Sequence, residues 1–109
     1  MKKLVDLVDD GNILIPKVFS TFDINNILIN NSISEWTSKE FTINENGYLY
    51  ANSLGGGQRQ GGKIVIDGVD YSLQAGTTTF IPLKKGTYII YAFGGYAQID
   101  YKVFGIKYN

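Results

Sequence analysis

The sequence predicts an all-β fold, a sandwich or barrel of antiparallel strands. Apolar and polar residues alternate along many short segments, and turn pairs containing glycine recur between them. The clearest case is the segment 63–74, where Asp67-Gly68 separates two alternating runs, because both positions of a tight hairpin turn favour positive φ. Between the turns there is no periodicity of an amphipathic helix.

Further turn pairs divide the chain into strands at spacings of about 8 to 20 residues. They are Asn46-Gly47, Lys85-Gly86 and Gly94-Gly95. A chain of 109 residues has room for one hydrophobic core, so we expect one structural unit. The predicted strands are 13–20, 24–30, 39–44, 47–53, 63–67, 69–74, 78–83, 87–93 and 96–108.

The segment Thr87–Phe93 predicts a strand with two apolar faces. Alternate residues point to opposite sides of a strand, and here both sets are apolar: Tyr88, Ile90 and Ala92 against Ile89, Tyr91 and Phe93. A strand of an antiparallel sandwich usually keeps one face for water. We therefore expect the face of Ile89, Tyr91 and Phe93 to form a subunit interface; the alternative is a central strand enclosed by its own chain.

The last predicted strand changes its apolar face part-way along. Ile99, Tyr101 and Val103 share one parity, whereas the next apolar residues have the other parity. Gly105 lies beside this change, so we predict a β-bulge or a twist there. The second set is expected to contact a neighbouring subunit, and consists of Phe104, Ile106 and Tyr108.

Composition argues against several classes of function. The chain has ten basic and ten acidic residues in a scattered arrangement, so we expect no nucleic-acid partner. It has no cysteine and no histidine, which removes disulfides, thiolate nucleophiles, imidazole bases and nearly all zinc chemistry. We therefore predict a protein that is not an enzyme and has no catalytic residues, no cofactor and no metal.

The sequence also lacks the pattern of a membrane or export segment. No apolar run approaches the roughly 20 residues of a membrane span, so no membrane insertion is expected. The opening "MKKLVDLVDD" begins like a signal peptide, but Asp6 and Asp9 interrupt its apolar run. We predict no signal peptide.

The glycine-rich stretch Leu54–Ile64 has the spacing of a phosphate-binding loop, with Gly62-Lys63 following Gly57. Such a loop needs a helix behind it, and the residues after Lys63 predict a strand instead. A nucleotide site is therefore not expected. Three residues in the middle of the loop offer hydrogen-bond donors and acceptors and are predicted to bind a ligand or partner: Gln58, Arg59 and Gln60.

Trp36 is the only tryptophan, and it lies in the polar context "SEWTSKE". A single tryptophan often covers a small core, and the core position is the favoured interpretation. The alternative is an exposed platform that stacks on a sugar, because tryptophan presents a flat apolar face to ligands. On that basis Trp36 joins the candidate binding residues.

Several motifs together resemble the compact β-sandwich modules at the C-termini of bacteriophage tail fibres and receptor-binding proteins, and in outline the C1q and tumour-necrosis-factor jelly rolls. The motifs cover roughly residues 35 to 109 and are "FTINENGYLYANS", the glycine-rich loop, "VIDGVDYS", "FIPLKKGTYIIYAFGG" and "YKVFGIKY". The resemblance implies a jelly-roll-like antiparallel sandwich that assembles as a homotrimer. Residues 1–34 are then expected to be an N-terminal arm or an extra hairpin, and residues 35–109 the sandwich.

The resemblance also implies a function. We expect a non-enzymatic virion component, a fibre-like or receptor-binding module assembled in the host cytoplasm. Its partners would be its own copies, a bacterial cell-surface glycan or protein, or other virion proteins. Two alternatives stay open: a free-standing carbohydrate-binding module or lectin, suggested by eight tyrosines and Trp36, and a small capsid or tail decoration protein.

Overall fold

The computed structural model describes residues 7–10, 13–16 and 20–108. These residues contain no helix long and apolar enough to cross a membrane. They form ten strands: β1 (Leu7–Asp10), β2 (Ile13–Pro16), β3 (Ser20–Ser34), β4 (Ser38–Ile43), β5 (Gly47–Ser53), β6 (Gly62–Ile66), β7 (Val69–Leu73), β8 (Thr77–Leu83), β9 (Gly86–Ala92) and β10 (Gln98–Tyr108).

Eight of these strands form two antiparallel sheets that pack face to face. Sheet 1 has the order β3-β10-β5-β8 and sheet 2 the order β4-β9-β6-β7, while β1 and β2 form a hairpin of their own. Pairing is nested: β3 pairs with β10, β4 with β9, β5 with β8 and β6 with β7. This nested order, shared alternately between two sheets, is that of a jelly roll. The predicted all-β sandwich is confirmed.

The core lies between the two sheets and is built from alternate residues of each strand. In β9, Tyr88, Ile90 and Ala92 are buried in it, as their shared parity predicts. Ile89 and Tyr91 are half-buried on the outer face of sheet 2. Large side chains that are almost fully enclosed include Leu49, Ile64, Ile66, Leu73, Leu83, Ile90, Ile99, Tyr101 and Val103.

Strand boundaries agree with the predicted ones within two residues from β4 to β10. The main differences lie before residue 35. β3 runs from Ser20 to Ser34 and pairs along β10, so this part of the predicted arm is a strand of the sandwich itself. The predicted strand 13–20 is β2 up to Pro16, and its residues 17–19 lie outside the described part of the chain. β1 was not predicted.

The predicted irregularity beside Gly105 is present, although the extra residues belong to β3. Phe104 pairs with Ile27 and Gly105 with Asp23, so three residues of β3 loop out between these two pairs. A Cβ at position 105 would lie 2.2 Å from Nδ2 of Asn26 in this segment, so the Asn26 side chain would have to move. The alternation of β3 is broken at this point, which explains why its full length was not predicted.

The connections between sandwich strands gather at two ends. The turn end consists of the residues 44–46, 67–68 and 84–85, and the loop end of the residues 35–37, 54–61, 74–76 and 93–97. Asp67 and Gly68 have φ of 52° and 76°, which confirms the predicted hairpin turn. The loop end has the longer connections and positions the candidate site.

Candidate functional site

The four connections of the loop end contact one another. The N–H of Phe93 donates to the carbonyl of Gly61 at 2.8 Å, and the N–H of Ala92 donates to that of Thr37 at 2.8 Å. Gly55 lies against Gly76 closely enough that a Cβ at position 55 would be 2.6 Å from the Gly76 Cα. Backbone hydrogen bonds and close packing therefore join loops that are far apart in sequence into one surface.

Three aromatic side chains project from this surface into solvent. Trp36 is 79% exposed, Tyr96 63% and Phe93 43%. The favoured prediction that Trp36 belongs to the core is wrong, because the three-residue turn 35–37 carries it past the edge of both sheets. The exposed alternative describes its position.

Trp36 and Tyr96 share an unusual backbone conformation. Their φ angles are 59° and 61°, in the left-handed region that costs an ordinary L-residue roughly 1–2 kcal/mol. For a bulky side chain such a conformation is an outlier, and outliers of this kind concentrate at functional sites. The turn that holds Trp36 is closed by the N–H of Thr37, which donates to the Ser34 carbonyl at 3.1 Å.

Tyr96 is held from both sides by charged side chains of other loops. Glu35 Oε2 accepts the N–H of Tyr96 at 2.7 Å, and Arg59 Nη1 donates to the carbonyl of Tyr96 at 3.0 Å. Hydrogen bonds to ionised groups are stronger than those between neutral groups. The two side chains therefore fix Tyr96 in its left-handed conformation.

A cleft of about 500 Å³ opens beside Tyr96. Its other walls are formed by Gly56, Gly57, Gln58 and Arg59. The two glycines have φ of 94° and 58°, a conformation that favours glycine, and they leave this wall of the cleft without side chains. The cleft thus combines an aromatic side chain, an amide and a guanidinium group.

The candidate binding residues of the sequence are distributed unequally over the loop end. Gln58 and Arg59 line the cleft, and Trp36 projects from a neighbouring turn. The Gln60 amide instead lies against the backbone of Gly94, where a Cβ would be 2.3 Å from Gln60 Oε1. Gln60 therefore packs against the 93–97 connection.

Sequence reasoning missed Glu35 and Tyr96. Tyr96 directly follows the Gly94-Gly95 pair, and a large aromatic residue within a glycine turn could have indicated an exposed binding residue. Glu35 had no such signal, because its partner is 61 residues away in sequence. Only the folded arrangement brings the two together.

The residues predicted to form a subunit interface lie on different surfaces. Ile89 and Tyr91 are half-buried on the outer face of sheet 2, where Lys63 Nζ sits 5.0 Å from the centre of the Tyr91 ring and pairs with Asp70 at 2.8 Å. Phe93 belongs to the loop end. The remaining three are in β10: Phe104 is buried, Ile106 is half-buried, and the side chain of Tyr108 lies outside the described part.

The outer face of sheet 1 carries an apolar patch that the sequence did not predict. Phe104 is covered there by Phe22, with ring centres 5.2 Å apart, and Phe22 also contacts Phe80 at 5.0 Å. These rings border a shallow groove of about 290 Å³, lined by Phe22, Ile24, Tyr50, Phe80, Lys102 and Phe104. The alternating tyrosines of "GYLYANS" were the available signal, because Tyr48 and Tyr50 face away from the buried Leu49.

Two tyrosines of the described part of the chain have a shifted pKa, and both lie in the core. Burial raises the pKa of Tyr88 above 10.0, and its hydroxyl donates to the Lys84 carbonyl at 2.5 Å. Burial also raises the pKa of Tyr101, and the nearby Asn31 side chain opposes this in part. The Tyr101 hydroxyl has no hydrogen-bond partner of ordinary geometry, so the Asn31 contact is a weak one.

The described residues contain no group of three or more acidic side chains placed to hold a metal ion. Gly62 and Lys63 lie in β6, which continues to Ile66, so the phosphate-loop spacing leads into a strand, as predicted. The chain matches no protein-family model, and no curated protein and no solved structure is significantly similar to it.

Proposed function

We propose that this chain is a non-enzymatic recognition module of a bacteriophage virion, and that it binds carbohydrate on the bacterial surface through the loop end. The jelly-roll topology supports the proposal because the tail-fibre and receptor-binding modules that the sequence resembles are expected to have this fold. The chemistry of the loop end supports carbohydrate as the ligand. Flat aromatic faces stack on sugar rings, while amide and charged groups bond to hydroxyls.

The observation that carries the proposal is the conformation of Trp36 and Tyr96. Two exposed aromatic residues occupy left-handed backbone positions, although neither buries enough surface to stabilise the core. Glycine would fit both positions at lower cost. A binding role accounts for large side chains at positions where folding alone favours glycine.

Assembly as a homotrimer is the second part of the proposal. A cyclic trimer joins two different patches of the same chain. Among the described residues, Ile89 and Tyr91 are half-buried on the outer face of sheet 2, and the apolar patch that includes Phe80 lies on the outer face of sheet 1. Together with the loop end, three copies would present three binding surfaces, which raises avidity for a repetitive surface glycan.

A glycan array tests the binding role, with the wild-type chain compared with Trp36→Ala and Tyr96→Ala. We expect wild-type binding to bacterial surface polysaccharide and a loss of about 10-fold in each variant, because one aromatic ring contact is worth up to about 1.5 kcal/mol beyond the area it buries and each 1.4 kcal/mol is a tenfold change in affinity. Val69→Ala is the matched control, since Val69 is an exposed apolar residue of β7 next to the turn end. Equal binding by all four proteins would refute the loop end as the site.

Light scattering after size-exclusion chromatography tests the trimer. Wild-type protein should elute at three times the monomer mass of 12.1 kDa. Tyr91→Glu and Phe80→Glu place a charge on each outer face in turn, and at least one should give folded monomer. A monomeric wild-type chain would remove the trimer from the proposal.

A free-standing lectin is the second candidate function, and one observation favours it. Trp36 is 79% exposed, which is the position that stacking on a sugar requires. Glycan binding by a monomer would support the lectin. Binding to purified capsid or tail proteins without glycan binding would instead support a decoration protein.

A further inference from the structure

The cleft beside Tyr96 contains an arginine that has no ion-pair partner within 4.0 Å among the described residues. Arg59 lines the cleft and uses one guanidinium nitrogen to hold the Tyr96 carbonyl. A guanidinium group has five N–H donors. Within the described residues no carboxylate lies within 4.0 Å of the Arg59 guanidinium group. The ion pair that the described residues do form joins Lys63 and Asp70, on the outer face of sheet 2. Most of the donor capacity of Arg59 is therefore open to a ligand.

We propose that the cleft binds an acidic saccharide, and that Arg59 recognises the sugar carboxylate. This inference rests on the proposed carbohydrate-binding function and names its ligand class. In this arrangement Arg59 binds the carboxylate, the Tyr96 ring contacts the sugar ring, and the Gln58 amide bonds to hydroxyls. Uronic acids and sialic acids are the sugars with this chemistry.

The geometry of the cleft favours a carboxylate over a neutral sugar. The planar fork of arginine matches the two oxygens of a carboxylate, and such a pair is stronger than a bond between neutral groups. Arg59 is oriented by its bond to Tyr96, so less side-chain entropy is lost when the ligand binds. The cleft has a volume of about 500 Å³ and is widely open to solvent, so it would contact a sugar from one side.

The carboxylate of Glu35 and the guanidinium group of Arg59 bind different backbone groups of Tyr96. Glu35 accepts the N–H of Tyr96, whereas Arg59 binds its carbonyl, and the two side chains form no ion pair. The chain as a whole has a net charge of zero. General attraction of anions to the protein is therefore weak, and a preference for acidic sugars would be local to Arg59.

The test uses matched pairs of glycans on one array at physiological salt. The pairs are glucuronate and glucose, galacturonate and galactose, and sialyllactose and lactose oligosaccharides, together with a sulfated galactose oligosaccharide. The proteins are the wild type, Arg59→Lys, Arg59→Gln and Lys85→Gln. Lys85→Gln is the matched control, because it removes one exposed positive charge at the turn end.

We expect at least one acidic glycan to bind the wild type about 10-fold or more tightly than its neutral counterpart, as a charged hydrogen-bond pair provides. Arg59→Gln should abolish this preference, Arg59→Lys should reduce it, and Lys85→Gln should retain it. A purely structural role of Arg59 would weaken binding to both members of a pair equally.

Three results would overturn the inference. The first is binding to neutral glycans with no acidic preference; if Trp36→Ala still abolishes it, the proposed function stands and only the ligand class is wrong. The second is a preference for acidic glycans that Arg59→Gln retains, or binding of the sulfated glycan as tight as that of the carboxylated glycans. Either result would indicate general attraction of negative charge. The third is no glycan binding at all, in which case the proposed function fails as well.

Discussion

The connections at the two ends of the sandwich all reverse the chain, but they place different kinds of residue in the left-handed region. At the turn end, Asp67 occupies the left-handed region beside Gly68, a place where aspartate is common. At the loop end, Trp36 and Tyr96 occupy the same region. The left-handed residues of the turn end, Asp67 and Gly68, are of types that adopt this conformation readily. The loop end instead has two large, exposed aromatic residues in it, for which the conformation is unfavourable.

The difference shows where the fold and the proposed function separate. At the turn end a neutral amide joins two connections, because the Lys85 N–H donates to Asn46 Oδ1 at 2.9 Å. The loop end depends on Glu35 and Arg59, whose partner Tyr96 comes from a different connection. We conclude that the turn end serves chain reversal, while the loop end carries additional structure that chain reversal does not require.

The largest expected effect concerns the strands that support the loop end. In Gly62→Ala the new Cβ would lie 1.8 Å from the Tyr91 carbonyl oxygen, which is backbone and cannot move without disturbing the β6–β9 pairing. We expect the free energy of unfolding to fall by at least about 2 kcal/mol in urea denaturation. Gly95→Ala, where no atom lies within 4 Å, is the control and should be nearly neutral. Similar losses in both would mean that the connection 93–97 is as tightly packed as the strands.

The next effect separates the two ends directly. Trp36→Gly should increase the free energy of unfolding by about 1 kcal/mol, because it relieves a left-handed conformation and removes little buried surface. The same variant should lose glycan binding. Asp67→Gly at the turn end should give a smaller increase, since aspartate tolerates this conformation. If Trp36→Gly is instead destabilised, Trp36 supports the fold and the separation of the two ends is incorrect.

A pH effect is expected at the turn end. Burial raises the pKa of Tyr88, so the folded state favours the neutral hydroxyl that donates to the Lys84 carbonyl. The unfolded chain ionises first as the pH rises past 10.0, and the stability present below that pH is lost above it. The urea midpoint should fall above pH 10 more steeply in the wild type than in Tyr88→Phe. Parallel profiles would show that other groups, such as lysines, dominate.

The smallest expected effect concerns the orientation of Tyr96. Glu35→Ala removes the acceptor of the Tyr96 N–H but leaves the strands intact. We expect glycan affinity to fall by about 3-fold to 10-fold, as for one hydrogen bond, with little change in melting temperature. Glu40→Ala removes an exposed carboxylate from the outer face of sheet 2 and should bind like the wild type. Equal behaviour of the two variants would show that Tyr96 needs no support from Glu35.

Strands in which apolar and polar residues alternate regularly were predicted well, and the strand with an interrupted pattern was not. From β4 to β10 the apolar period and the turn pairs placed each strand within two residues, because a half-buried strand requires that period. β3 was placed only in part, since the bulge opposite Gly105 interrupts its pattern. A bulge is a property of two paired strands, and one strand does not reveal it.

The candidate site was predictable only where its residues stand out individually. Arg59 and Gln58 were found in a glycine-rich loop, and Trp36 was found because tryptophan occurs once. The outer-face patch around Phe22 and Phe80 was missed, because the ring contacts join strands that are far apart in sequence.

The sequence by itself determined the all-β class, the turn positions and the two-faced character of β9, because these depend on short-range alternation and on the conformational demands of glycine turns. Tertiary structure decided which loops share an end, that Trp36 is exposed, and that Glu35 and Arg59 hold Tyr96 from opposite sides. Those facts depend on strand order. Strand order arises from pairing between strands that are distant in sequence: β3 with β10, β4 with β9 and β5 with β8. The sequence of one segment does not contain this information.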